Sequence, residues 1–182
     1  RGTERASFNP VNFLSFFTIE SNILAAIVLL AAGSFALCGK QSARLDMLRG
    51  AAFLYMTITG IVYTLLLSGQ EESLQTAIPW VNSVVHYIMP AVVFADWFIT
   101  PPVKRISFKA ACFWLIFPIL YLAYSLIRGP IVQWYPYPFL DPAGHGYGGI
   151  AVVGIGIMAC ALALVAVGSW STRRAKPAQK KR

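Results

Sequence analysis

Five long apolar segments determine what this chain can fold into. They cover approximately residues 13–37, 47–67, 80–100, 110–127 and 147–170. A helix needs about 20 apolar residues to cross the roughly 30 Å hydrocarbon core of a bilayer. Because a backbone inside lipid must satisfy its own hydrogen bonds, segments of this length are expected to be helices. The sequence therefore predicts an all-α, polytopic transmembrane helix bundle with five spans, in a single domain over residues 1–172.

The composition separates the membrane class from its alternatives. Only 12% of residues are charged, against about 25% in soluble domains. The formal net charge of +8 is concentrated in residues 173–182, which hold six of the fifteen basic residues. A basic tail beside a final apolar segment is typical of membrane topology rather than of nucleic-acid binding. We therefore expect membrane lipids as partners, no nucleic acid, and a basic cytoplasmic tail at 173–182.

The cysteines and histidines argue against bound metals and redox cofactors. Cys38, Cys112 and Cys160 lie in or beside apolar segments without the short spacings of a disulfide framework or a zinc site. The two histidines are His86, inside a span, and His145, in a connection. Because bis-histidine haem ligation within the bundle needs two histidines inside it, a haem or quinone protein is disfavoured. The sequence predicts no metal and no cofactor.

Basic residues in the connections predict the orientation. The first connection is basic, with Lys40, Arg44 and Arg49, and so is the third, with Lys104, Arg105 and Lys109. The second connection is acidic, with Glu71 and Glu72, and the fourth has a single cation, Arg128. The positive-inside rule places the first and third connections and the C-terminus in the cytoplasm of a cell-membrane protein. The first span then starts outside, although Arg1 and Arg5 mildly oppose this.

Two polar residues are predicted to lie at one depth. Spans one and three run in the same direction, and Thr18 is about five residues into the first while His86 is about six into the third. At 1.5 Å per residue, each lies roughly 8 to 9 Å below the outer end. The two side chains can meet if their helices are neighbours.

Each of these residues also has an ordinary structural role open to it. Threonine in a membrane helix usually bonds its own i−4 carbonyl. Histidine at membrane depth is costly and tends to face an interior or a pathway. Asn82, one turn outward of His86 on the same face, either orients the imidazole or bonds a neighbouring helix. Pro90 and Pro118, inside spans three and four, predict kinks that open a cavity beside His86.

Two acidic residues in the spans have simpler explanations. Glu20 is about 200° around the helix from Thr18, so it is expected to pair with a tyrosine, a serine or a basic group elsewhere. Asp96 lies near the cytoplasmic edge, within expected reach of Lys104 or Arg105 as an interface anchor.

Four sequence stretches together resemble one known family. They are "FFTIESNIL", "RGAAFLYMTITGIVY", "WVNSVVHYIMPAVVFADWF" and "YPYPFLDP". The spacing of Trp80, Asn82 and His86 and the run from Tyr137 to Asp141 are the more specific parts. This pattern resembles the androgen-induced membrane proteins and their microbial relatives, over residues 16 to about 142.

The resemblance implies a bundle of about six helices and a lipid hydrolase. Animal members use a threonine and a histidine to cleave fatty acid esters of hydroxy fatty acids. Thr18 matches the nucleophilic threonine and His86 the catalytic histidine. The family usually has one more helix before the threonine-bearing span, and only twelve residues precede that span here; a lost first helix would put both ends of the full protein inside, in agreement with the outside start of the first span.

The implied chemistry is acyl transfer from a lipid ester. Thr18 attacks the ester carbonyl while His86 takes its proton, then protonates the departing alcohol and activates water. No carboxylate is predicted at this depth to orient the histidine, so Asn82, the backbone or Tyr87 must hold the ring. Oxyanion donors are worth about 2.7 to 4 kcal/mol each in other enzymes, and the candidates here are Asn22 and Asn82.

A non-catalytic membrane protein is the alternative. A scaffold or small transporter would use His86 and Asn82 as hydrogen-bonding groups between helices. Such a protein would tolerate Thr18→Ala without loss of function.

Overall fold

A computed structural model describes residues 9–69 and 78–174. Within these ranges the chain is helical and has no strand, and five helices are long and apolar enough to cross a membrane: Phe17–Leu37, Ala43–Leu67, Pro79–Ile99, Phe108–Val132 and Gly146–Ser171. The predicted all-α, five-span bundle is confirmed, and the chain is a multi-pass membrane protein. Several residues used to predict its orientation lie outside the described ranges: Arg1, Arg5, Glu71, Glu72 and the tail beyond Arg174.

Several spans are built from more than one helical segment. A short helix, Pro10–Leu14, precedes the first span. The second joins helix Ala43–Val62 to a π turn, Tyr63–Leu67, and the third joins Pro79–Ser83, a π turn Val84–Ile88, and Met89–Ile99. The fourth comprises Phe108–Ala111, a 3₁₀ turn Cys112–Leu115, and Ile116–Val132. A 3₁₀ turn Pro138–Leu140 leads to Pro142–Ser171, which kinks at Gly146 and is followed by the 3₁₀ turn Thr172–Arg174.

The first span starts four residues later than its predicted start at residue 13. The side chain of Asn9 accepts hydrogen bonds from the amides of Val11 and Asn12, and so caps the short helix before the span. Asparagine followed by proline is a strong helix start, whereas counting apolar residues does not separate two consecutive helices. Thr18 is therefore the second residue of its helix.

The second span is the centre of the bundle. It packs against the first, third and fifth spans. Of the 18 most apolar consecutive residues in this span, 56% are buried inside the protein, against 17% in the first and fifth spans. Phe53, Leu54 and Met56 in its middle are fully enclosed. Its position fixes how far apart the first and third spans can lie, because both pack directly on it.

We predict that Gly50→Ala destabilises this centre. A Cβ at Gly50 would lie 2.0 Å from Cζ2 of Trp114, a buried indole that also packs edge-on against Trp97. Overpacking of this kind typically costs about 1–3 kcal/mol. Thermal unfolding in detergent is expected to show a lowered Tm for Gly50→Ala. Gly33→Ala is the matched control, since nothing lies within 4 Å of that site, and an equal loss in both variants would contradict the prediction.

The expected partner of Asp96 is corrected by the structure. Asp96 Oδ2 accepts bonds from Nη2 and Nε of Arg49, at 2.8 and 3.1 Å, and Arg49 Nη1 also bonds Asp46 Oδ1 at 3.1 Å. Neither Lys104 nor Arg105 makes an ion pair with it. Arg49 counts among the cations of the first connection in the positive-inside comparison, yet it already falls within the predicted segment 47–67, and the helix that carries it begins still earlier, at Ala43. We call Asp46, Arg49 and Asp96 the Arg49 cluster.

Candidate functional site

The first span begins without a side-chain cap of its own. Phe16 is its N-cap residue and makes no side-chain bond to the helix, so the first amides need partners from elsewhere. The amide of Phe17 bonds the hydroxyl of Tyr121 at 3.3 Å, and the amide of Thr18 bonds the hydroxyl of Tyr137 at 3.1 Å. Tyrosines from the fourth span and the following loop therefore cap the helix at Thr18.

The hydroxyl of Thr18 lies between two side chains. Its Oγ1 is 3.3 Å from Nε2 of His86 and 3.2 Å from the hydroxyl of Tyr137, and the residue is 6% exposed. Other hydroxyls in the spans make the ordinary bond to the i−4 carbonyl: Ser21, Ser34, Thr57, Thr59, Thr64 and Ser83. The side-chain contacts of Thr18 thus differ from the usual structural role of a membrane threonine.

The tautomer of His86 follows from its partners. Nδ1 lies 3.1 Å from the carbonyl oxygen of Asn82. A carbonyl can only accept a hydrogen bond, so Nδ1 carries the proton in the neutral ring. The lone pair of Nε2 then faces Oγ1 of Thr18. The ring of Tyr63 stacks on the imidazole with centroids 3.9 Å apart and planes 17° apart, so the backbone and Tyr63 together fix the ring.

Tyr63 and His86 each lie in a π turn, and these are the two π turns within residues 9–69 and 78–174. Tyr63 begins the turn at the end of the second span, and His86 is at the middle of Val84–Ile88 in the third. Pro90 follows and has no amide hydrogen to give to the His86 carbonyl, so the regular ladder is interrupted at this point. π turns occur frequently at functional sites. The proline predicted to kink this span is therefore next to a local change of helix type that carries the histidine.

The two asparagines have their donors turned to other groups. Asn22 Nδ2 bonds the carbonyls of Thr18 and Val85, at 2.8 and 3.1 Å, which ties the first span to the third. Asn82 Nδ2 bonds the hydroxyl of Tyr63 at 2.5 Å. Neither amide group bonds the hydroxyl of Thr18, so the expected oxyanion donors are not brought to that oxygen. Tyr87, the other candidate to hold His86, packs edge-on against Tyr63 instead.

An apolar cavity lies beside Thr18. It has about 790 Å³ of space free of protein atoms, including its open mouth. Its walls come from four of the five spans and from the loop after the fourth, and are lined by Phe17, Thr18, Ile58, Thr59, Val62, Tyr63, Leu67, Pro118, Tyr121, Leu122, Tyr137, Phe139, Leu140, Val153, Gly154, Ile157, Met158 and Ala161. The side chains that line it are almost all apolar.

The fourth and fifth spans line one side of the cavity. Within the described residues these spans contact each other mainly through residues 108–115 of the fourth. The lining residues that they contribute are only half buried, among them Leu122, Val153 and Met158. Because both helices are apolar and long enough to span a bilayer, we expect this side of the cavity to lie next to hydrocarbon.

Sequence reasoning missed Tyr137 and Tyr63. Tyr137 lies in the stretch "YPYPFLDP", which contributes to the family resemblance. Its sequence does not indicate that the Tyr137 hydroxyl reaches Thr18. Burial raises the pKa of the Tyr137 phenol above its ordinary value, although its bonds to Thr18 partly offset this, so the group stays protonated. Glu20, expected to pair elsewhere, has a buried Oε2 with no hydrogen-bond partner among the described residues.

The described part of the chain has no group of three or more metal-ligating side chains placed to hold an ion. What the structure brings together is a threonine, a neutral histidine and a tyrosine beside an apolar cavity. No protein-family model, no curated protein and no solved structure matches the chain.

Proposed function

We propose that this protein hydrolyses lipid esters inside the membrane, with Thr18 as the nucleophile and His86 as the general base. The observation that carries the proposal is the contact of Thr18 Oγ1 with His86 Nε2, the unprotonated nitrogen of a ring fixed by the Asn82 carbonyl. Nucleophile, base and a group that orients the base are the pattern of activated hydroxyl nucleophiles. The resemblance to the androgen-induced membrane proteins supports the same pair.

The reaction has two steps. Oγ1 of Thr18 bonds to the ester carbonyl carbon while its proton passes to Nε2 of His86. The C–O bond to the alcohol then breaks, and the alcohol leaves with that proton. Water attacks the acyl-threonine and gives a proton to His86, which returns it to Oγ1 as the free acid departs. The net change is one ester and one water converted to one acid and one alcohol.

The cavity supports a substrate with a long apolar chain. Its walls are almost wholly aliphatic and aromatic, and two of the spans that line it are apolar helices of membrane-spanning length, which are expected to have lipid on their outer side. An acyl chain can therefore enter from the bilayer without crossing an aqueous phase. Fatty acid esters of hydroxy fatty acids are the substrate class that the family resemblance favours.

The charge distribution supports a site in the outer half of a cell membrane. Thr18 and His86 lie at the end of the bundle opposite to the first and third connections, where Lys40, Lys104 and Arg105 are found. By the positive-inside rule that basic end is cytoplasmic, together with the C-terminus.

The test is labelling with a long-chain alkyl fluorophosphonate, together with release of acid from a lipid ester by the purified protein in vesicles. Wild-type protein is expected to be labelled and to turn over the ester, while Thr18→Ala and His86→Ala are expected to do neither. Thr64→Ala is the matched control, since its hydroxyl bonds the carbonyl of Gly60 away from the cavity. If both Thr18→Ala and His86→Ala are still labelled, the proposal is wrong and a non-catalytic scaffold or transporter is favoured.

A further inference from the structure

We propose that Tyr137 is a further catalytic residue, whose phenol and the Thr18 amide together bind the oxyanion formed on the ester carbonyl. This inference rests on the hydrolase activity proposed above. It assigns the donors that this reaction needs and that Asn22 and Asn82 do not supply.

The hydrogen bonds around Thr18 have a single consistent direction. The Thr18 amide can only donate, so the oxygen of Tyr137 is its acceptor at 3.1 Å. The O–H of Tyr137 then points to its remaining partner, Oγ1 of Thr18, at 3.2 Å. This leaves the hydrogen of Thr18 free to donate to Nε2 of His86. The phenol therefore donates to the very atom that attacks.

Tyr137 is held firmly in this position. Its ring stacks on Phe139 with centroids 5.2 Å apart and meets Phe16 edge-on at 5.7 Å. The residue is 6% exposed and lines the cavity beside Thr18. A phenol kept neutral by burial and positioned by two aromatic rings beside Oγ1 is a donor placed where negative charge develops, and it needs only a turn of its O–H to reach that charge.

The Thr18 amide is the second donor. It belongs to the first turn of the Phe17–Leu37 helix, where amides have no partner within the helix and the helix dipole favours negative charge. At rest it bonds the phenol oxygen of Tyr137. When the carbonyl carbon of the ester reaches Oγ1, the carbonyl oxygen replaces the phenol oxygen as the acceptor of the amide hydrogen. The phenol O–H turns from Oγ1 to the same carbonyl oxygen, which then receives two hydrogen bonds.

The electron and proton movements are balanced in this arrangement. As Oγ1 bonds to carbon, the carbonyl π electrons move to oxygen, and that oxyanion accepts the two hydrogen bonds. When the C–O bond to the alcohol breaks, the electrons return to re-form the carbonyl. Tyr137 keeps its proton throughout, so its part is electrostatic and His86 alone transfers protons.

The experiment compares Tyr137→Phe with wild type in two readouts. The first is hydrolysis of a long-chain acyl ester, where kcat is expected to fall by about 10²–10³ with little change in KM. The second is inhibition by a palmityl trifluoromethyl ketone, whose adduct with Thr18 carries an oxyanion, against the matched alkyl ether, which forms no adduct. We expect weaker inhibition by the ketone, by a similar factor, and unchanged inhibition by the ether.

Tyr121→Phe separates this role from helix capping. Tyr121 caps the neighbouring amide of Phe17 and does not touch Oγ1 of Thr18. It is expected to retain the wild-type ratio of ketone to ether affinity. An equal loss of that ratio in Tyr121→Phe and Tyr137→Phe overturns the inference, since capping then explains both.

Two further outcomes keep this inference distinct from the proposed function. Wild-type kcat in Tyr137→Phe, with Thr18→Ala inactive, overturns the role of Tyr137 alone. Wild-type hydrolysis in both Thr18→Ala and His86→Ala, or no hydrolysis by the wild type, overturns the proposed function and this inference with it.

Discussion

The Thr18→Ala/His86→Ala double variant is expected to hydrolyse lipid esters no more slowly than either single variant. Each single substitution is expected to lower kcat at least about 10³-fold, because either one leaves the other group without its partner in proton transfer. In the structure the two residues meet through one contact, Oγ1 to Nε2. A nucleophile and its base that act as one unit show grossly non-additive losses.

The measurement is single-turnover acylation and steady-state hydrolysis for wild type, both single variants and the double variant. Losses that multiply in the double variant would mean that Thr18 and His86 act independently. Far-UV circular dichroism and thermal unfolding of each variant serve as the folding control, because neither depends on the stack of Tyr63 on His86 that His86→Ala removes.

Replacement of Arg49 by alanine is expected to be the most destabilising single change in the bundle, lowering the free energy of unfolding by about 3–5 kcal/mol. Arg49 is 5% exposed and Asp46 is 6% exposed. Removing the guanidinium leaves Asp46 and Asp96 without the cation that bonds both. It also removes the donor to the Thr100 carbonyl at the end of the third span.

Equilibrium unfolding in bicelles checks this value. Arg44→Ala is the matched control, because Arg44 is an exposed cation on the same helix. We expect Arg44→Ala to leave the free energy of unfolding almost unchanged. The triple variant Arg49→Met/Asp46→Asn/Asp96→Asn is expected to recover most of the lost stability, since no charge then remains buried. Equal effects of Arg44→Ala and Arg49→Ala would contradict an energetic role for the cluster.

The five spans could be predicted from the sequence, because a segment that crosses a bilayer must have a certain length and an apolar composition, and both can be read from the segment alone. The start of the first span could not be predicted, because Asn9 and Pro10 begin a separate short helix just before it and the apolar residues continue from one helix into the next. The π turns were also missed. Pro90 indicates an interruption near His86, but apolar periodicity does not say whether it takes the form of a kink or a π turn, and no proline lies in the turn at Tyr63–Leu67.

The pairing of Thr18 with His86 was accessible from topology, because two helices of the same direction and known rise place equivalent residues at equal depth. The role of Tyr137 was not, since the loop that carries it returns to the bundle through tertiary contacts that no local pattern encodes. The partner of Asp96 was missed for a related reason. Arg49 falls within the predicted segment 47–67, but it was counted only as a connection cation, and sequence alone does not show that its side chain reaches Asp96 on the third span.

The cap of the first span has a consequence for biosynthesis. The tyrosines that bond the amides of Phe17 and Thr18 follow them by 104 and 119 residues. A nascent chain that has inserted only its first three spans already holds Thr18 and His86, surrounded by membrane lipids, but it lacks both tyrosine hydroxyls and the cavity walls of the last two spans. The proposed site is therefore completed only when the last two spans have inserted, and we expect a chain cut after its third span to show none of the proposed ester hydrolysis.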